Sequence, residues 1–269
     1  NHLPDNTAVM LIHQINPWGC AWGHRMNEDN ADIFRDVLYY KPELYVDDHR
    51  FTEELAIAAG PKSWSGPERE HSDRLLEKLK AEIGVDQIIN IARAGQHRFP
   101  QSQCYNGGGI SWSNQLYRDL CKQYLTNAKR VFCVDIHTGF GDYGEGILIP
   151  YYYESAAEQK KLARLIRTFG KEAVQPAGFA PDIPRHPRMP WETAEDFLPD
   201  LEMTCTGLEF GTYNYPVDES IEFNRYMNYL ITYGDLANPE CPDLYHKYQQ
   251  QFYPSKDDWK ECVFTRGKE

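Results

Sequence analysis

Three strand-like stretches constrain this chain most. Ala8-Val9-Met10-Leu11-Ile12 is continuous, the pattern of a strand buried on both faces of a mostly parallel sheet. Residues 131–136 form a second such run, and residues 204–212 are a further strand candidate. Helical patterns lie between and after them. Residues 67–84 put Leu75, Leu76, Leu79 and Ile83 on one face and charges on the other. Ser113-Asn114 reads as the N-cap of a helix reaching residue 127. Further helices are expected over 154–173 and 219–232, with at least one more after Cys241. Strands alternating with helices specify an α/β sandwich with a mixed or mostly parallel sheet. Gly- and Pro-rich stretches over 95–109, 139–146 and 176–190 read as loops. No repeat or linker divides the 269 residues, so one domain, 1–269, is expected.

Charge and composition then exclude several classes of function. Forty acidic side chains against 28 basic ones leave a net charge of −12, with no Lys/Arg cluster to meet a nucleic acid. No apolar run approaches the roughly 20 residues that span a bilayer, so no membrane partner is expected. The seven cysteines, at positions 20, 104, 121, 133, 205, 241 and 262, contain no Cys-x-x-Cys pair. They read as small buried hydrophobes, which favours an intracellular, cytoplasmic setting. The chain opens Asn1-His2-Leu3-Pro4, without Met, and enters an apolar run almost at once. The expectation is a processed or N-terminally incomplete piece.

Polar residues at the carboxyl ends of strands are where open α/β sheets build sites. His137 follows the second run, with Asp135 two positions earlier and therefore on the same face of a strand. Such a His can ligate a metal through one ring nitrogen; the alternative is a core histidine satisfied by backbone. Glu209 stands between Leu208 and Phe210, where a carboxylate is costly to bury without a partner. It reads either as a general base or as the partner of an inward Arg. Arg25 and Arg35 sit among Glu28, Asp29, Asp32 and Asp36. Their guanidinium forks suit an oxyanion or carboxylate, or a local salt-bridge network. Gly107-Gly108-Gly109 lacks the Lys-Ser/Thr of a phosphate loop, and no Gly-x-Ser-x-Gly elbow is present.

The order of these pieces resembles a known superfamily. A strand ends in Asn16-Pro17-Trp18-Gly19, followed by the polar stretch from Arg25 to Arg35. Asp135-Ile136-His137-Thr138-Gly139 and Leu208-Glu209-Phe210-Gly211-Thr212 come much later. Over roughly residues 3–235 this is similar to the zinc carboxypeptidase-like (M14-type) superfamily, and more closely to its DUF2817 branch. The resemblance implies a three-layer α/β/α sandwich and zinc-dependent hydrolysis of peptide or acyl-amino-acid amide bonds. It places His137 as a zinc ligand, Glu209 as the base and Arg25 against the developing oxyanion. It places Arg35 where the substrate carboxylate is gripped.

This chain departs from the pattern twice. The superfamily's His-x-x-Glu ligand pair, due upstream of Asn16, has no match: His13 is inside the apolar run, and three positions after His2 stands Asp5. Two of about three protein ligands are therefore not in this chain. Phe34 also stands where the pattern has an Asn beside the carboxylate-gripping Arg. A metal-free, non-catalytic binding or structural relative is the alternative to the hydrolase. In either case the first strand needs an upstream segment or a partner chain over its apolar edge.

Overall fold

The computed structural model describes residues 3–36, 49–102, 105–150, 155–176 and 194–268. Among the described residues the sheet has three strands. β1 (Arg130–Tyr143) lies at one edge, β3 (Glu202–Gly211) in the middle and β2 (Gly146–Ile149) at the other edge. β1 pairs parallel with β3, from Arg130 opposite Glu202 to Thr138 opposite Phe210. β2 returns from β1 through a tight turn and pairs antiparallel with β3. The fold is thus mixed α/β around a small mixed sheet.

The helices follow from caps and apolar faces. α1 (Pro17–Trp22) starts at Asn16, whose side-chain oxygen accepts the Gly19 N–H at 3.0 Å. α2 (Thr52–Ala59), α3 (Gly66–Ile83) and α4 (Val85–Ala94) share a core of Phe51, Leu55, Leu76, Leu79, Ile88 and Ile91. Gly84, at φ 79°, stops α3 and lets α4 start at a new angle. α5 (Trp112–Tyr124) and α6 (Ala156–Phe169) pack with β3 around Cys121, Leu162, Leu165, Met203 and Cys205. Ser155 and Glu158 close α6 with a capping box. The short α7 (Ala194–Phe197) adds Ala194 to the same cluster.

α8 (Val217–Thr232) and α9 (Pro242–Phe252) share a third core of Phe223, Tyr226, Met227, Leu230 and Tyr248. α10 (Asp257–Arg266) buries Trp259 alone. Arg225, on α8, reaches Ala58 O, Ser72 Oγ and Asp73, which ties α8 to α2 and α3. Among the described residues no helix is long and apolar enough to cross a membrane.

Several expectations are corrected here. Residues 8–12 form no strand and are not buried: Val9, Met10 and Ile12 are exposed, and Leu11 is 88% exposed. An apolar run becomes a strand only when a neighbour pairs its backbone, and no described segment does so. Asn16-Pro17-Trp18-Gly19 begins a helix rather than a turn. The N-cap of α5 is Ser111, which accepts the Asn114 N–H, so Ser113 and Asn114 are inside the helix. β1 runs on through the expected glycine loop to Tyr143, so His137 lies within the strand. Helices α2 and α4 and strand β2 had no counterpart in the sequence reading. The proline-rich stretch lies outside the described residues beyond position 176.

One buried group makes stability depend on pH. Asp36 is fully buried and accepts the Ser111 N–H at 2.6 Å and a bond from the Asn114 amide. Burial pushes its carboxyl up to about 6, against the opposing bonds from Ser111 and Asn114. With the folded value above the unfolded one, the folded state holds the extra proton between pH 4 and 6. Stability from this group is therefore greatest below about 4 and falls as pH rises through 6. Asp36→Asn removes the dependence. Relative to this variant, the wild type should gain on the order of 2–3 kcal/mol between pH 7 and pH 4. Urea unfolding at the two pH values measures it; an unchanged difference refutes it.

Candidate functional site

The parallel register puts His137 directly opposite Glu209. Cross-strand neighbours in a ladder share a face, so two residues remote in sequence become adjacent side chains. His137 Nδ1 stands 4.0 Å from Glu209 Oε2, and His137 Nε2 is in close contact with the Asp135 carboxylate. The side chains of His137 and Glu209 are 27% and 15% exposed, so both reach a hollow but neither is freely solvated. The Phe34 ring stands edge-on to the imidazole, with centroids 4.6 Å apart. An aromatic edge there limits how the imidazole can turn.

Electrostatics separate the two groups. Burial alone would lower the His137 pKa, but Asp135 by charge and hydrogen bond, with Glu209 behind it, raises it on balance. Burial raises the Glu209 pKa, while the charges of His137 and Arg25 hold part of that rise back. A carboxyl held above its usual range beside a cation is poised to exchange protons.

Arg25 and Arg35 meet at one carboxylate. Arg25 Nη2 lies 3.0 Å from Asp32, and Arg35 Nη1 contacts the same oxygen. Asp32 also accepts the Phe34 N–H at 3.0 Å, which fixes the turn that carries Phe34 toward His137. Arg35 is 5% exposed, and its Nε and Nη2 both donate to Arg93 O, at 3.1 and 2.6 Å. Arg25 is the more accessible cation, with 43% of its side chain exposed, and its charge acts on both His137 and Glu209. The structure thus brings together His137, Glu209 and Arg25, with Asp135 behind the imidazole. Arg35 stands one step away, through Asp32.

Several contributors were not singled out from sequence. Asn16 donates to Arg25 O and Met26 O, both at 3.0 Å, and so anchors the polar loop to the start of α1. The Tyr248 hydroxyl oxygen, on α9, accepts the Arg25 N–H at 3.3 Å, and the Tyr248 ring stacks on His24. His24 Nδ1 accepts the Met26 N–H at 2.9 Å. Burial drives its pKa down to about 3, which keeps it neutral. Thr138 Oγ1 donates to Phe252 O and Thr212 Oγ1 to Gln251 O, so the end of α9 is pinned across the ends of β1 and β3. Neither tie had a local signal, because each joins segments far apart in the chain.

As donors for a metal, these residues offer one imidazole and the carboxylates beside it. No group of three or more His, Cys, Asp or Glu side chains that could hold a metal ion is gathered among the described residues. Catalytic zinc takes about three protein ligands. The donor set described here therefore does not by itself fit zinc.

A family model described as "Protein of unknown function (DUF2817)" matches residues 1–266. No curated protein and no solved structure shows significant similarity to the chain.

Proposed function

The chain belongs to the DUF2817 family, and on that premise we propose that it is a hydrolase of peptide or acyl-amino-acid amide bonds, of metallocarboxypeptidase-like design. The reading treats residues 1–269 as a single domain and the small sheet as part of a wider three-layer α/β/α sandwich. One observation carries it: Glu209 lies beside His137 in register, with Arg25 acting on both. Glu209 is the group to take a proton from an attacking water, since burial raises its affinity for one. Arg25 is the group to meet charge developing on the carbonyl oxygen, in a site where water screens little. Asp135 holds the His137 ring in one orientation. Arg35 contributes to substrate carboxylate binding only through a fork already shared with Asp32 and Arg93 O.

Zinc remains the expected cofactor, with His137 as one ligand, and it requires ligands from beyond the described residues. Elemental mass spectrometry with an intact mass on the same sample tests this. About one zinc per chain is expected, falling towards none in His137→Ala. A zinc-free protein with the mass of this chain alone would favour the second reading, a metal-free binding or structural relative. That reading draws support from the close Asp135 and Phe34 contacts around the imidazole.

A further inference from the structure

Helix α9 touches both halves of the site within its last turn. The Tyr248 hydroxyl oxygen accepts the Arg25 N–H at 3.3 Å. Gln251 O accepts from Thr212 Oγ1 at 2.6 Å, and Phe252 O accepts from Thr138 Oγ1. Thr138 follows His137 directly, and Thr212 stands three positions after Glu209. Residues 248–252 cover about 6 Å of helix axis. The loop that carries Arg25 and the ends of β1 and β3 are thus joined by a single stiff turn.

The joint is packed as well as bonded. Tyr248 is buried in the core that α8 and α9 share, and its ring stacks on His24 with centroids 5.6 Å apart. Tyr245, earlier on the same helix, donates from its hydroxyl to Trp22 O at 2.8 Å. Gln251 Oε1 accepts from Asn224 Nδ2 of α8 at 3.0 Å. The last carbonyls of a helix have no partner within it, and Thr138 and Thr212 serve two of them here. Asn16 and Asp32 fix the Arg25 loop to α1 and to itself, which says nothing of where the strands end. The Phe34 ring also meets His137, but by an apolar edge, without the directionality of a hydrogen bond.

We propose that residues 248–252 of α9 are the positioning element of this site, and that the Tyr248 hydroxyl sets the Arg25 guanidinium against Glu209. Tyr248 acts through the Arg25 backbone and takes no part in the chemistry. The inference rests on the hydrolase reading. There a carbonyl oxygen lies between Arg25 and the water that Glu209 activates, and a misplacement of about 1 Å costs about 100-fold in rate.

A double-mutant cycle tests it, with N-acetyl amino acids and short peptides as probes. Tyr248→Phe keeps the ring and its stack and removes the acceptor. It should lower kcat and kcat/KM together by about 10-fold, with KM within about twofold of wild type. Arg25→Ala removes the guanidinium but keeps the backbone N–H and its bond to Tyr248. In that background Tyr248→Phe should change kcat by less than about twofold, because the loss comes only from a displaced guanidinium. Thr212→Val supplies a readout without activity. It should speed hydrogen exchange at the Arg25 amide by about 10-fold, although Thr212 bonds Gln251 and not Arg25. A loss of equal size with and without the Arg25 side chain overturns the proposal, since a merely structural role gives that result. An Arg25 amide that keeps its wild-type exchange rate in Thr212→Val overturns it too. Both results leave the hydrolase reading standing when Glu209→Gln has lost activity. If Glu209→Gln matches wild type, or wild type cleaves none of the probes, that reading fails and the positioning role falls with it.

Discussion

Glu209→Gln is expected to lower kcat/KM for amide hydrolysis by about 10²- to 10⁴-fold, the usual worth of a positioned general base. Glutamine keeps the shape of the side chain and its place opposite His137 in the β1–β3 ladder, but it cannot take a proton. Steady-state kinetics on a panel of N-acetyl amino acids and short peptides would measure the loss. The same substitution should leave Tm unchanged or raise it. Glu209 carries a desolvation burden, visible in its raised pKa, that a neutral amide does not. Lost activity without lost stability is the signature of a residue kept for chemistry. Activity equal to wild type would remove Glu209 from the mechanism, and with it the observation that supports the hydrolase.

Trp259→Ala should cost about 3–5 kcal/mol, the range for emptying a buried aromatic site. At about 2–4 °C per kcal/mol for a chain near this size, Tm would fall by roughly 6–20 °C. Trp259 is 2% exposed and is the one buried residue of α10. Its indole N–H donates to Gly211 O at 2.8 Å, two residues beyond Glu209. The substitution therefore frees both a helix and the end of the strand that carries the base. Trp259→Phe keeps most of the apolar area and loses only the hydrogen bond. Gly211 O still accepts from the Gly144 N–H at 2.9 Å, so that variant should cost about 0.5–1.5 kcal/mol. Calorimetry on the two variants tests the anchor. An alanine variant that melts within a degree or two of wild type would refute it.

Much of the local structure was legible because short-range chemistry writes it. The stretches at 131–136 and 204–212 are strands; the second keeps its limits within two residues, and the first runs on to Tyr143. The helices over 67–84, 154–173 and 219–232 appear close to where their spacing puts them. Extent was less legible. Glycine stretches read as loops, yet Gly139 and Gly141 lie within β1 at positive φ, where only glycine continues the strand without strain. α2 buries small apolar residues, which leave a faint periodicity, whereas α4 is amphipathic but only ten residues long.

The candidate site divides in the same way. By itself the sequence determined that Glu209 would sit in a strand and His137 at a strand's end, that Asp135 would share a face with His137, and that Arg25 and Arg35 would lie in one acidic loop. These follow from period-2 geometry and local composition. Only the tertiary structure decided that His137 faces Glu209, that Arg35 is buried against Asp32 and Arg93 O, and that residues 8–12 lie exposed beside an open edge. Register and burial depend on which remote segment supplies the partner. A run of apolar residues states that its surface must be covered; the rest of the fold decides what covers it.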